Sequence, residues 1–88
     1  MQIDAALVEE QGLTFAVVVV TSSVQAGGER ALDEAARSFG PVFPGVPIVL
    51  MWQDARGVPT YWGRPDIVRF LSNLLLEQLP WRQWSVAA

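Results

Sequence analysis

The chain has no cysteine, no histidine and no lysine among its 88 residues. These side chains supply most covalent nucleophiles, the proton shuttles that work near neutral pH, and the amines that form Schiff bases. Without cysteine there is neither a disulfide nor a thiolate metal site, and without histidine the remaining oxygen ligands suit only hard cations. No metal and no cofactor are therefore expected. Positive charge rests on six arginines, Arg30, Arg37, Arg56, Arg64, Arg69 and Arg82, which are dispersed along the chain. The net charge of -3 and a pI near 4.6 leave no cationic stripe for a phosphate backbone, so no nucleic acid partner is expected. Long apolar runs are also missing. The longest, Phe15 to Val20, falls far short of the roughly 20 residues that span a bilayer. The start Met1-Gln2-Ile3-Asp4 lacks a basic leader region, so the expectation is a cytoplasmic protein with no membrane partner.

What is present is apolar. Hydrophobic residues make up 51% of the chain and the mean hydropathy is +0.28. A single domain of this size hides only about 60 to 65% of its unfolded surface, so some of this material should remain outside a monomer's core. Burial against a second copy, most simply in a homodimer, is the expected use of the excess.

Residues 2–9 alternate, with Ile3, Ala5 and Leu7 on one face, as a half-buried strand at a sheet edge would. After a turn at Glu10, Gln11 and Gly12, Leu13 to Val20 is β-branched and apolar on both faces, the pattern of a central strand. From about Ala26 to Phe39 the period becomes helical, with Ala31, Leu32, Ala35, Ala36 and Phe39 on one side. Gly40-Pro41 stops this helix. Its start stays open, because Ser22 with Gln25 can form a capping box while Gly27 and Gly28 weaken an early beginning. A proline-rich loop, residues 41–47, leads to a second buried strand, Ile48 to Gln53. The turn Asp54 to Gly57 returns the chain as Val58 to Trp62, where Pro59 fits an edge. Pro65 and Asp66 begin a last helix running to about Leu79-Pro80, with Ile67, Phe70, Leu71, Leu74 and Leu75 inward. The expected fold is α+β: a four-stranded, mainly antiparallel sheet with both helices on one face, in the order ββαββα. Residues 1–80 form one domain, and residues 81–88 form an aromatic tail outside any element.

The run Gly45-Val46-Pro47-Ile48-Val49-Leu50, the turn Asp54 to Gly57, Pro59-Thr60-Tyr61-Trp62-Gly63 and the helix after it resemble the second half of the thioredoxin fold. The resemblance implies a cis bond before Pro47 and a backbone edge beside it that receives a peptide; a trans proline that simply breaks the loop is the alternative. It also implies a redox-inactive module, since the family's paired cysteines have no counterpart here.

Among candidate sites, Arg56, Tyr61 and Arg64, with Asp54 and Asp66 nearby, could hold a small anion through guanidinium and phenol donors. Turn and helix-start chemistry explains the same residues without a ligand. Thr21-Ser22-Ser23 with Gly27-Gly28 could cradle an anion, or simply cap a helix. The adjacent carboxylates Glu9-Glu10 and Asp33-Glu34 read as solvated surface, so no catalytic residue is assigned. Trp52, Trp62, Trp81 and Trp84 suit an oligomer interface or the core better than a base-stacking platform. The leading expectation is a non-enzymatic protein interaction module that self-associates. The alternatives are a small-anion binder or enzyme using Arg56, Tyr61 and Arg64, and a redox-inactive thioredoxin-like partner module.

Overall fold

A strand that is apolar on both faces needs cover on both faces, and the sheet is built around two of them. In the computed structural model, which describes residues 2–86, β1 (Gln2–Glu10) and β2 (Leu13–Val19) form an antiparallel hairpin. Its turn has positive φ at both Gln11 and Gly12, which matches the right-handed twist of the flanking strands. A crossover through α1 (Ser22–Ala26) and α2 (Gly28–Ser38) then brings β3 (Ile48–Gln53) parallel to β2. β4 (Pro59–Trp62) returns antiparallel to β3, α3 (Pro65–Leu71) follows, and after a 3₁₀ turn at Leu76–Gln78 the chain ends in β5 (Trp81–Ser85). The sheet order is β4-β3-β2-β1-β5.

The α+β class holds, with four corrections. First, the sheet has five strands and is mixed, because residues 81–85, read as lying outside any element, pair antiparallel with β1 from Ala6↔Trp81 to Gln2↔Ser85. Residues 87 and 88 of the expected tail lie outside the described residues. Second, β1 is an interior strand rather than an edge. Ala5 and Ala6 are both fully buried while Leu7 is 42% exposed, since β5 brings cover to both faces of β1 where it overlaps.

Third, the helices lie on opposite faces. Leu32 of α2 and Phe39 just beyond it join Ala5, Ala16, Val18 and Leu50 in one core, whereas Ile67 and Leu71 of α3 join Ala6, Phe15, Val17, Val49 and Met51 in another. Alternate residues of the same strands point into the two cores, as the pleat requires. The apolar excess is absorbed by this double core. Among the described residues only Leu7, Val58 and Leu75 are large hydrophobics left exposed, and they sit on β1, on the β3–β4 turn and after α3. No common patch gathers them.

Fourth, α3 ends early. The Asn73 amide turns to the Phe70 carbonyl at 3.2 Å while its side-chain Nδ2 donates to the Arg69 carbonyl at 3.0 Å, so a side chain satisfies the carbonyl that the next helical amide would have used. The first helix is also split. Gly27 separates α1 from α2, and a Cβ there would fall 2.6 Å from the Ala31 Cβ. The helical segment does start early, at Ser22, but with Thr21 rather than Ser22 as its N-cap and no side-chain capping bond, and Gly27 interrupts it.

All peptide bonds among the described residues are trans, including the one before Pro47, so the loop-breaking alternative applies there. The Pro47 carbonyl accepts from the Ala16 amide at 2.9 Å and extends the β2–β3 pairing. This loop is held from within. Phe43 is 4% exposed and meets the Trp84 ring edge-on, with centroids 4.8 Å apart.

Candidate functional site

Two places combine exposure with chemistry: a groove beside β4 and the outer edge of β5. The groove, about 840 Å³ and broadly open, runs between α2 and the start of α3. Gly63 joins β4 to that helix where the backbone comes closest to β3. A Cβ on it would lie 2.9 Å from Val49 Cγ2 and 3.3 Å from the Ile48 carbonyl oxygen. The lining includes Glu29, Arg37, Tyr61, Trp62 and Arg64.

Most of these polar groups already answer one another. Arg64 forks onto Asp66, Nε to Oδ1 at 3.0 Å and Nη2 to Oδ2 at 2.7 Å. This hydrogen bonding holds the Asp66 carboxyl below its ordinary range and raises the Arg64 guanidinium further above neutrality. Arg37 pairs with Asp33 at 2.9 Å. The Trp62 indole donates to Glu29 Oε2 at 2.9 Å, tying β4 to the first turn of α2. Tyr61 is the exception: its hydroxyl is buried with no hydrogen-bond partner, and burial raises its pKa.

Tyr61 and Arg64 both line the groove, whereas Arg56 does not. Asp54 Oδ1 accepts from the Arg56 and Val58 amides at 2.8 and 3.0 Å and shapes the β3–β4 turn, so Arg56 sits at the far end of β4 from Arg64. At about 3.3 Å per residue a strand of this length separates them by more than 10 Å. The other polar candidates bond to their own neighbours, and no side chain caps α1. Thr21 Oγ1 and Ser23 Oγ lie 2.6 Å apart at the start of α1. Asp33 and Glu34 form i,i+4 ion pairs with Arg37 and Arg30, and Thr14 Oγ1 reaches Glu9 at 3.4 Å. Among the described residues no group of acidic side chains is arranged to hold a metal ion, and no helix is long and apolar enough to cross a membrane.

The four tryptophans do not share a surface. Trp52 and Trp62 cover the α2 face beside β4, Trp84 covers that face at the β5 side, and Trp81 packs on the α3 face. With strands about 4.8 Å apart the sheet places nearly 20 Å between the two sides. The terminal pair is anchored within the chain: Trp81 Nε1 donates to the Leu76 carbonyl at 2.8 Å and Trp84 Nε1 to the Ala5 carbonyl at 3.2 Å. The Arg82 guanidinium lies 5.5 Å from the Trp84 ring centroid, within cation–π range. Gln83 and Ser85 are exposed, and among the described residues no strand lies on the outer side of β5.

This edge is the feature that reading the residues missed. Its signal was present but brief: Arg82 and Trp84 alternate with Trp81 and Gln83 just after Pro80, a strand period too short to stand alone. Compared with known proteins, the chain matches no family model, no curated protein and no solved structure.

Proposed function

We propose that the chain is a non-enzymatic interaction module that self-associates by extending its sheet through β5. The observation that carries this reading is the outer edge of β5, which no strand joins among the described residues, although the Trp81 amide already donates to the Leu79 carbonyl at 2.9 Å. An edge strand presents unbonded amides and carbonyls to any strand that can lie beside it, and proteins commonly blunt such edges with proline, charge or a bulge. β5 contains no proline, and its one charged residue, Arg82, lies against Trp84. Composition had pointed to self-association through an apolar excess; with that excess divided between two cores, the backbone edge supports it instead.

Sedimentation equilibrium from micromolar to millimolar protein tests the reading. The expected result is a mass that rises from monomer to dimer, with Arg82→Glu shifted toward monomer. A monomer mass throughout the range contradicts it.

Tyr61 and Arg64, which both line the groove, favour a second reading, a weak site for a carboxylate or phosphate there. A ligand there would have to compete with Asp66 for the guanidinium. Calorimetric titration with acetate and with phosphate would show binding that Arg64→Ala abolishes; equal heats for both proteins would remove the reading.

A further inference from the structure

Resting on the self-association reading, we infer that two copies pair antiparallel through β5 about a two-fold axis at Gln83, placing each Arg82 over the Trp84 of the other copy. Gln83 is the midpoint of Trp81–Ser85, so only this centre pairs all five residues with their counterparts. Trp81 then faces Ser85 of the second copy, and Arg82 faces Trp84. Shifting the axis to Arg82 would set two like charges directly opposite, which is unfavourable, and would bring Pro80, which has no amide hydrogen, into the ladder. Shifting it to Trp84 leaves Trp81 outside and removes the aromatic face from Arg82.

The proposed register is self-complementary in charge and π character. On one strand Arg82 and Trp84 are alternate residues of the same face, about 6.8 Å apart along the chain. Across the junction, directly opposite Cα atoms lie about 4.5 to 5.5 Å apart. Each guanidinium, already against its own indole at 5.5 Å, would therefore sit between two rings in a cluster that alternates cation and aromatic. The rings are preset, because Trp84 is fixed by the Ala5 carbonyl and by Phe43. Few side-chain rotamers remain to be frozen on association. A pair of five-residue strands is small beside the roughly 1,200 to 2,000 Å² of a standard interface, so the dimer should exchange and depend on concentration.

The absence of native cysteine makes the register directly testable. Gln83 and Ser85 are both exposed, so Gln83→Cys and Ser85→Cys each add one thiol without disturbing the core. At the proposed axis the two copies' Cα atoms at position 83 fall within disulfide reach, whereas those at position 85 are separated by four residues of strand, about 14 Å. Under oxidised glutathione the Gln83→Cys chain should cross-link to itself at least about tenfold faster than the Ser85→Cys chain, as a held pair exceeds random encounter. Arg82→Glu in the Gln83→Cys background should remove that advantage. If the unmodified protein dimerises in the ultracentrifuge while both cysteine variants cross-link at equal rates, the register is wrong and the self-association reading stands. If the protein is monomeric at every concentration, that reading falls and the register with it.

Discussion

At one side of the sheet β4 offers four residues that begin with Pro59, lead into the close-packed Gly63, and are tied to α2 through Trp62 and Glu29. At the other, β5 offers five residues with no proline, tied inward through both indoles but joined on its outer side by no strand among the described residues. Both are edges of the same sheet, yet one is shortened and fastened by side chains while the other is fastened only on its inner side. Edge strands without such protection are where chains add to one another. The difference favours association through the backbone of β5 rather than through a cluster of exposed tryptophans.

Removing β5 should have the largest effect. Deleting residues 81–88 strips both faces of β1 of their half-buried tryptophans, for each of which the cost of truncating a fully buried aromatic, about 3 to 5 kcal/mol, is an upper bound. The whole stability of a domain this size is on the order of 4 to 13 kcal/mol, so circular dichroism should show a chain that is largely unfolded or unfolds at much lower temperature. The deletion therefore reports on the fold before it reports on association. Next is Gly63→Ala at the end of β4, where the new Cβ meets the buried Val49 and its backbone; overpacking of this kind costs about 1 to 3 kcal/mol and should appear as a lower urea midpoint. Trp62→Phe keeps an aromatic ring at β4 but loses the Glu29 bond, worth about 1 kcal/mol, and part of the indole's packing on the core, and should leave the sedimentation behaviour unchanged. An altered association constant in that variant would break the contrast between the edges.

The smallest effect concerns Tyr61. Its buried hydroxyl has no partner, so Tyr61→Phe should be neutral or stabilising by up to about 1 kcal/mol. Burial raises the phenol pKa above its ordinary 10.0. The stability linked to the neutral phenol is thus complete below the unfolded pKa and is lost as pH rises through the higher folded value. Because Tyr61 is the only tyrosine, tyrosinate absorbance reads this one group. A midpoint at or below that of the urea-unfolded chain would contradict the burial.

Much of the fold was legible where the residues carry a long period. The β-branched run of β2, the β3–β4 turn built on Asp54 and the amphipathic pattern of α2 all lie where reading placed them. The position of the helices was legible in principle, since Phe15 and Val17 point one way and Ala16 and Val18 the other, and both sets require cover. The early end of α3 was harder to read, because Leu74, Leu75 and Leu76 prolong an apolar signal past Asn73, where the amide shifts to the Phe70 carbonyl and the side chain takes the Arg69 carbonyl. Of the candidate site, Tyr61 and Arg64 both line the groove, while Arg56 lies in the turn at the other end of β4. β5 escaped because its apolar residues are divided between two faces.

Amide hydrogen exchange at low and high protein concentration sets the two edges against each other in a single experiment. Protection of the outer amides of residues 82–85 should rise with concentration while that of Pro59–Trp62 stays constant, the Trp81 amide being bonded already to the Leu79 carbonyl. Exchange at β5 that ignores concentration, or protection that grows at β4 instead, would contradict association through β5.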